Sequence, residues 1–214
     1  ILPISSSAFS HLLYQRWVKQ RADEVDRLSH GRLGYVHIPS MGDPSFRTVY
    51  SDVLGKYYQR DGIVIDIRYN GGGRLHEDIE AFFTGKHYAD QVVRDRQYSE
   101  MSSRRWNRPS VLVTNEADYS NAHGTPWVYQ HLKVGKVVGM PVAGTMTSVN
   151  WVSRLDPSVY FGIPALGFRL LDGRYLENTQ MEPDVVVPLD PTKVLQGVDT
   201  QIEKAVEVLR AETK

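Results

Sequence analysis

Apolar residues recur at helical spacing in five stretches of the sequence. The first stretch runs from Phe9 to Leu28 and follows three serines, which are favoured residues for capping the start of a helix. Another begins at Asp43-Pro44, where a capping residue precedes a proline at the first helical position. The spacing predicts helices over residues 9–28, 43–57, 74–83, 120–132 and from Asp199 onward.

Short β-branched runs alternate with these helices. The run from Ile63 to Ile67 is nearly continuous, which is typical of a strand buried on both faces. Similar runs cover residues 33–38, 110–114 and 136–138, and shorter strands are expected between 150 and 187. This alternation predicts an α/β fold with a largely parallel sheet. The one boundary it indicates separates an N-terminal helical extension, residues 1–30, from an α/β body, residues 31–214.

Composition narrows the classes of function. Lys plus Arg and Asp plus Glu each number 25, so bulk charge gives no reason to expect a nucleic-acid partner. No apolar run approaches the roughly 18 residues of a membrane span. The absence of cysteine excludes disulfides, thiolate metal sites and a cysteine nucleophile. The chain opens at Ile1 without an initiator methionine, and we expect a fragment of a longer polypeptide.

A glycine-rich turn follows the predicted strand at residues 63–67. The sequence there is Asn70-Gly71-Gly72-Gly73, and three adjacent glycines indicate positive φ angles or a close backbone approach. Their N–H groups can face an anion. The alternatives are a plain tight turn and a phosphate loop, although the chain lacks both G-x-G-x-x-G and the Walker lysine here.

Ser120 follows the predicted strand at residues 110–114, at the turn into a helix. A serine hydroxyl in this place stands above the sheet edge, beside the N–H of the next residue. That is the arrangement of a nucleophile with half of an oxyanion hole. The competing interpretation is an ordinary helix N-cap, which is the most common role of serine at such a position.

Four segments, in this order, resemble the catalytic C-terminal domain of tricorn-type serine peptidases, members of the C-terminal-processing (tail-specific) peptidase family. They are residues 31–41, residues 66–73, Thr114-Asn115-Glu116 followed by Ser120, and Glu177-Asn178 followed by residues 182–185. The resemblance covers nearly the whole chain. Even the opening helix is similar to the segment that leaves a PDZ domain. The resemblance implies a crotonase/ClpP-like β-α superhelix.

The resemblance also implies roles for individual residues. Ser120 falls on the nucleophile, and Glu177 falls on the acidic member of a Ser-His-Ser-Glu tetrad. Gly73 and Asn121 fall on the residues whose backbone N–H groups form the oxyanion hole. The implied chemistry is cleavage of peptides or proteins through an acyl-enzyme, with no metal and no cofactor.

The general base is where the sequence departs from the family pattern. Tail-specific peptidases carry a lysine at the position that Thr145 occupies, and threonine cannot accept a proton at neutral pH. In tricorn-type enzymes the histidine comes from a domain that precedes the PDZ domain, so we expect upstream domains of the same polypeptide to supply it. His76 and His123 are the local alternatives.

Substrate preference is a second departure. Tricorn-type enzymes carry an aspartate that recognises basic residues, and a gapless count from Gly73 reaches Gln91, with Asp90 beside it. The competing interpretation of this polar stretch is a surface loop.

Three functions compete for the fold. The favoured one is a serine endopeptidase domain, because a non-catalytic binding module of the same fold needs neither Ser120 nor Glu177. The third, a crotonase-type acyl-CoA enzyme, would use an oxyanion hole without a serine nucleophile. The sequence is compatible with a homo-oligomer and with either the cytoplasm or the cell envelope.

Overall fold

Strands and helices alternate along most of the chain, as the sequence pattern predicts. The computed structural model describes residues 3–213. Its strands are β1 (Leu33–His37), β2 (Gly62–Asp66), β3 (Ala89–Val93), β4 (Arg96–Met101), β5 (Ser110–Thr114), β6 (Lys136–Gly139), β7 (Ser148–Ser153), β8 (Tyr160–Leu166) and β9 (Val185–Val186). The helices are α1 (Ser6–Ser29), α2 (Asp43–Ser51), α3 (His76–Thr84), α4 (Asn121–His131), α5 (Pro191–Leu195) and α6 (Thr200–Glu212), and a π-helical turn, Asp52–Lys56, continues α2.

A five-stranded parallel sheet in the order β1-β2-β5-β6-β9 forms the centre of the protein. One of its faces packs on α1 and α6, and the other packs on α2, α3 and α4. Every residue of β2 and β5 is buried because both faces are covered. Within this sheet, each strand pairs with the sheet strand that precedes it in sequence, so the chain crosses the sheet in one direction. The prediction of an α/β fold with a parallel sheet is confirmed.

The opening helix is fastened to the body through its second half. Val25 of α1 is fully buried in the core that α6 also covers, and Arg21 bonds the Asp199 carboxylate at 3.2 Å. The first half of α1 exposes Phe9 and Leu12. None of the helices within residues 3–213 has the length and apolar content needed to cross a bilayer. The domain boundary near residue 30 stays a prediction.

Two antiparallel hairpins stand apart from the central sheet. One pairs β3 with β4 and the other pairs β7 with β8. Every residue of β3 is exposed, so the segment that was a candidate surface loop is instead a surface strand. Hydrogen bonds to β4 define this strand. Because both of its faces are exposed to solvent, its side chains show no alternation of apolar and polar residues that would predict a strand.

A buried cluster of charges fixes the end of β2. Arg68 contacts the Asp66 carboxylate at 2.7 Å and the Asp199 carboxylate at 3.0 Å, and all three side chains are at most 2% exposed. Tyr35 of β1 donates a hydrogen bond to Asp66 at 2.8 Å. Burial alone would raise the pKa of Asp66, but the Arg68 guanidinium outweighs it and holds that pKa below its ordinary value. The cluster ties β2 to the start of α6.

Asp118 joins the two loops that leave the carboxyl edge of the sheet. One carboxyl oxygen accepts the N–H of Asn70 at 3.2 Å, and the other accepts the N–H of Asn115 at 3.0 Å. The N–H of Tyr119 in turn donates to the carbonyl of Asn70 at 2.9 Å. Asp118 is 2% exposed, and burial raises its pKa to about 8 even though both backbone donors lower it.

Replacing Arg68 should be far more destabilising than replacing an exposed arginine that also pairs with an aspartate two residues before it. Arg68→Met leaves two buried carboxylates without their shared cation, and we expect a loss of about 3–5 kcal/mol in the free energy of unfolding. Arg174→Met is the matched control, because Arg174 pairs with Asp172 at the same sequence spacing but in solvent, 72% and 50% exposed. Urea unfolding at pH 7 measures both; equal losses would contradict the structural role of the buried cluster.

Asp118 should make stability fall as pH rises. Its pKa in the folded protein, about 8, lies above the ordinary value of 3.8, so its stabilising contribution is complete below pH 3.8 and is lost on passing pH 8. Between these limits the wild type should lose up to about 1.4 kcal/mol per pH unit relative to Asp118→Asn, which cannot ionise. The exposed Glu116→Gln is the control and should follow the wild type. A difference between wild type and Asp118→Asn that is independent of pH would contradict the raised pKa.

Candidate active site

Ser120 has a strained backbone at the turn between β5 and α4. Its φ is 57° and its ψ is −119°, a region that costs a non-glycine residue about 1–3 kcal/mol and that clusters at functional sites. An ordinary N-cap has extended backbone and a side chain that accepts a helix N–H, and Ser120 shows neither. Its backbone N–H donates to the hydroxyl of Thr145 at 2.9 Å. The strained turn leaves the serine hydroxyl unused by the helix.

The glycine-rich loop after β2 lies directly against Ser120. A Cβ added to Gly72 would lie 2.6 Å from the Cβ of Ser120, and the φ of Gly72 is 96°. Gly73 has a φ of 136°, and a Cβ there would lie 2.0 Å from the carbonyl oxygen of Met41. Both positions require glycine for positive φ and for close approach. The structure therefore brings this loop and the serine turn together.

Two backbone N–H groups beside Ser120 are free to bind an oxyanion. Within residues 3–213, the N–H groups of Gly73 and Asn121 have no acceptor. The nitrogen of Asn121 lies 3.1 Å from where a Cβ on Gly72 would stand, so the two donors belong to adjoining segments. Donors that flank a serine in this way can stabilise the negative oxygen of a tetrahedral intermediate.

The side chain of Asn121 fixes the start of α3 against the start of α4. Its oxygen accepts the N–H of Leu75 at 2.9 Å and the N–H of His76 at 3.2 Å. Its Nδ2 lies 2.7 Å from Nδ1 of His76. Because an amide nitrogen can only donate, Nδ1 of His76 accepts, and the proton of the neutral ring sits on Nε2. Neither nitrogen of His76 hydrogen-bonds the hydroxyl of Ser120 in the described chain.

His123 lies on α4 and is fully buried. Its Nε2 lies 2.9 Å from the carbonyl oxygen of Thr179, so that nitrogen carries the proton. Its Nδ1 is buried with no partner among the described residues. Burial lowers the pKa of His123. The structure brings both local histidines near the serine turn, and within residues 3–213 neither ring hydrogen-bonds the hydroxyl of Ser120.

Glu177 reaches the same edge of the domain through the segment after β6. Its carboxylate accepts the N–H of Thr147 at 2.7 Å, and the next residue, Asn178, donates its N–H to the carbonyl of Gly144 at 2.9 Å. Thr145, between these two contacts, accepts the N–H of Ser120. Glu177 is half-buried and close enough to His123 to favour protonation of that ring.

Asp90 and Gln91 lie on the exposed β3–β4 hairpin. Asp90 accepts hydrogen bonds from His87 and Gln97, and Gln91 accepts one from Ser99. All of these partners belong to the hairpin or its approach, and none touches the serine turn. The structure does not bring the two residues together with Ser120, and their part in specificity stays a prediction.

The structural roles of Asp118 and Thr145 could not be predicted from the sequence. Asp118 fastens the glycine loop to the serine turn, and Thr145 holds the N–H of Ser120. The spacing of Asn115 and Asp118 is typical of a turn, and this pattern is the one local signal for the role of Asp118. No local pattern indicates the role of Thr145, because it bonds Ser120, 25 residues away in the sequence. Over residues 3–213, no three His, Asp or Glu side chains converge as metal ligands would.

The sequence comparisons agree with this geometry. The model of peptidase family S41 matches residues 32–187. The tricorn protease homolog of Saccharolobus solfataricus is 29% identical over 200 residues, which are 92% of this chain and 18% of the relative. The tricorn protease of Thermoplasma acidophilum is 27% identical over 203 residues, 94% of this chain and 19% of the relative. The chain thus spans about a fifth of the length of these curated relatives.

Solved structures give the same answer. The crystal structure of the tricorn protease matches with a TM-score of 0.82 and 27% identity, covering 94% of this chain and 20% of that one. The photosystem II D1 C-terminal processing protease matches with a TM-score of 0.53 and 20% identity over 83% of this chain and 46% of that one, and it shares the fold. The resemblance to tricorn-type peptidases is confirmed, and the chain belongs to peptidase family S41.

Proposed function

We propose that this chain is a serine peptidase domain in which Ser120 attacks the peptide carbonyl and the N–H groups of Gly73 and Asn121 hold the resulting oxyanion. One observation supports this most strongly. A strained serine adjoins two segments, each of which carries a backbone N–H without an acceptor in the described chain. Helix capping explains neither feature, whereas acyl transfer uses the free donors and a strained turn can present the hydroxyl of its nucleophile.

The reaction then follows the usual course of acyl transfer. The Oγ of Ser120 forms a bond to the carbonyl carbon as its proton passes to a base, and the carbonyl oxygen becomes the oxyanion. The intermediate collapses when the C–N bond breaks and the amine leaves with the proton. Water adds to the remaining ester in a second round, which frees the acid product and restores Ser120.

The base comes from outside these 214 residues in this proposal. Nδ1 of His76 already accepts a hydrogen bond from Asn121. His123 donates from Nε2 to Thr179, and its Nδ1 makes no hydrogen bond to the hydroxyl of Ser120 among the described residues. Thr145, which stands where related peptidases carry a lysine, is engaged with the N–H of Ser120. An incoming histidine from an upstream part of the same polypeptide would meet Glu177, whose carboxylate can orient it.

A non-catalytic binding module of the same fold is the second candidate. It accounts for the parallel sheet and for the glycine loop as an anion site. It gives no reason for the strain at Ser120, which costs stability without contributing to the packing of the core.

Labelling by a fluorophosphonate probe tests the missing base. The chain alone should label Ser120 slowly, and imidazole added as a substitute base should accelerate the labelling at least tenfold, because proton removal from the hydroxyl is then no longer limiting. Ser120→Ala is the control and should not label. Fast labelling without imidazole that is lost in His123→Ala or His76→Ala would assign the base to that histidine. Equal labelling of Ser120→Ala would leave the binding module as the function.

A methyl group on Gly72 should disable the site. Gly72→Ala places a Cβ against Ser120 at a φ of 96°, and the shift of the loop should lower imidazole-assisted labelling about 10²–10³-fold, the usual effect of losing an oxyanion donor. Gly71→Ala is the matched control, because a Cβ at that neighbouring glycine meets nothing within 4 Å. Equal labelling rates in the two variants would rule out the oxyanion role of this loop.

A further inference from the structure

The outer side of β1 carries backbone groups that no other strand pairs. β2 lies on one side of β1, and within residues 3–213 no strand lies on the other. The N–H of Ile38, just after β1, donates to the carbonyl of Asp66 in β2. Successive residues of a strand direct their N–H and C=O groups to opposite sides, so those of Tyr35 and His37 point away from β2. Neither residue has a backbone partner for these groups in the described chain.

These unpaired groups belong to a buried strand. Tyr35 is 2% exposed and His37 is 9% exposed. The great majority of buried backbone N–H and C=O groups in proteins are hydrogen-bonded, and each one left unpaired costs about 1–3 kcal/mol. Two N–H and two C=O groups on one edge therefore call for a partner that offers acceptors and donors in the same register.

A groove of about 760 Å³ follows this edge between α1 and α2. Tyr35, Val36 and His37 line it from β1. The usable edge is short. At one end the N–H of Leu33 already donates to the hydroxyl of Ser29 at 3.1 Å, and at the other Pro39 has no N–H to offer. The groove therefore suits a single short strand rather than an open-ended sheet.

The two walls of the groove differ in polarity. On α1, residues four apart lie on one face, and Tyr14, Val18 and Ala22 make a mainly apolar wall. The opposite wall, from α2 and the π-helical turn, carries a proline, two hydroxyl-bearing residues and two charged ones: Pro44, Ser45, Thr48, Asp52 and Lys56. Successive side chains of an extended segment point to opposite faces. Such a segment would place alternate residues against the apolar wall and the polar wall.

The charges along the groove balance. Lys19 and Asp23 on α1 pair with each other at 2.6 Å, and the opposite wall carries Asp52 and Lys56, one charge of each sign. A charged side chain in the groove would thus find no excess of the opposite charge, which favours an uncharged segment.

We propose that this groove binds an extended, uncharged segment of a partner polypeptide, with apolar and small hydroxyl-bearing residues in alternation, which adds a strand to the sheet beside β1. In this mode of recognition, main-chain hydrogen bonds give affinity and alternate side chains give specificity. A second copy of this chain is a poorer occupant, because its own β1 is recessed between the same two helices and two recessed edges do not meet. The inference does not use the proposed peptidase function.

A peptide of the stated pattern tests the groove. The probe is acetyl-Thr-Val-Ser-Val-Thr-Val-Ser-amide, and its control is the peptide of identical composition with the three valines adjacent. Isothermal titration calorimetry on the full chain should find binding below millimolar concentration, at least tenfold tighter than for the control. No binding of the probe at millimolar concentration would overturn the inference and leave solvent as the partner of the edge. Equal affinities would overturn the alternating pattern.

Amide hydrogen exchange followed by NMR locates the bound strand. Saturation with the probe should slow exchange at Tyr35 and His37 at least tenfold, because their N–H groups gain acceptors. Exchange at Gly34 and Val36, which point toward β2, should change little. Slowing that spares Tyr35 and His37 would overturn the site. Protection of these two amides without peptide, in a dimer seen by analytical ultracentrifugation, would overturn the partner in favour of a second copy.

A matched pair of variants on α2 tests the wall. Thr48 and Ser51 are both exposed, but Thr48 lines the groove and Ser51 lies outside it. Thr48→Trp should fill part of the groove and weaken binding of the probe about tenfold, whereas Ser51→Trp should leave it unchanged. Equal affinities of the two variants for the probe would contradict binding between α1 and α2.

Discussion

The buried guanidinium of Arg68 is the interaction from which the rest of the site is built. A cation without hydration must be surrounded by acceptors, and Asp66, Asp199 and Gln201 provide them from two distant parts of the chain. The backbone of Arg68 is held as well, because its carbonyl bonds His37 at 3.1 Å. The chain therefore leaves β2 in one direction, and the glycine loop begins two residues later at a fixed place above the sheet.

The strain at Ser120 persists because its neighbours hold it from several sides. Thr145 binds its N–H, Gly72 presses on its Cβ, and Asn121 locks the first turn of α4 to α3. None of these contacts is strong alone, yet relaxing the serine would break all of them together. A strained residue that is over-determined in this way keeps its geometry before substrate arrives, and preorganised donors of this kind cost no rearrangement during the reaction.

The sequence predicted those parts of the fold whose side chains are buried in a regular pattern. The β-branched residues of β2 and β5 mark strands because both faces of the sheet are covered, and the glycines mark a close approach because no other residue tolerates it. It missed β3, whose exposed side chains follow no burial pattern. Asp118 and Thr145 act through contacts between loops that are distant in sequence. No local sequence pattern predicts such contacts.

In the proposed function, the two halves of acyl transfer place different demands on this chain. An oxyanion hole needs N–H groups aimed at one point, and a rigid backbone can supply them. The donors proposed for this chain, those of Gly73 and Asn121, lie on segments held by Asp66, Arg68 and Asp118. A general base needs only a single hydrogen bond to the serine hydroxyl, so a separate structural unit can deliver it without disturbing that core. Thr145 is consistent with this division. Its hydroxyl accepts the N–H of Ser120. In the proposed function this position therefore supports the strained backbone, and a base from elsewhere removes the proton.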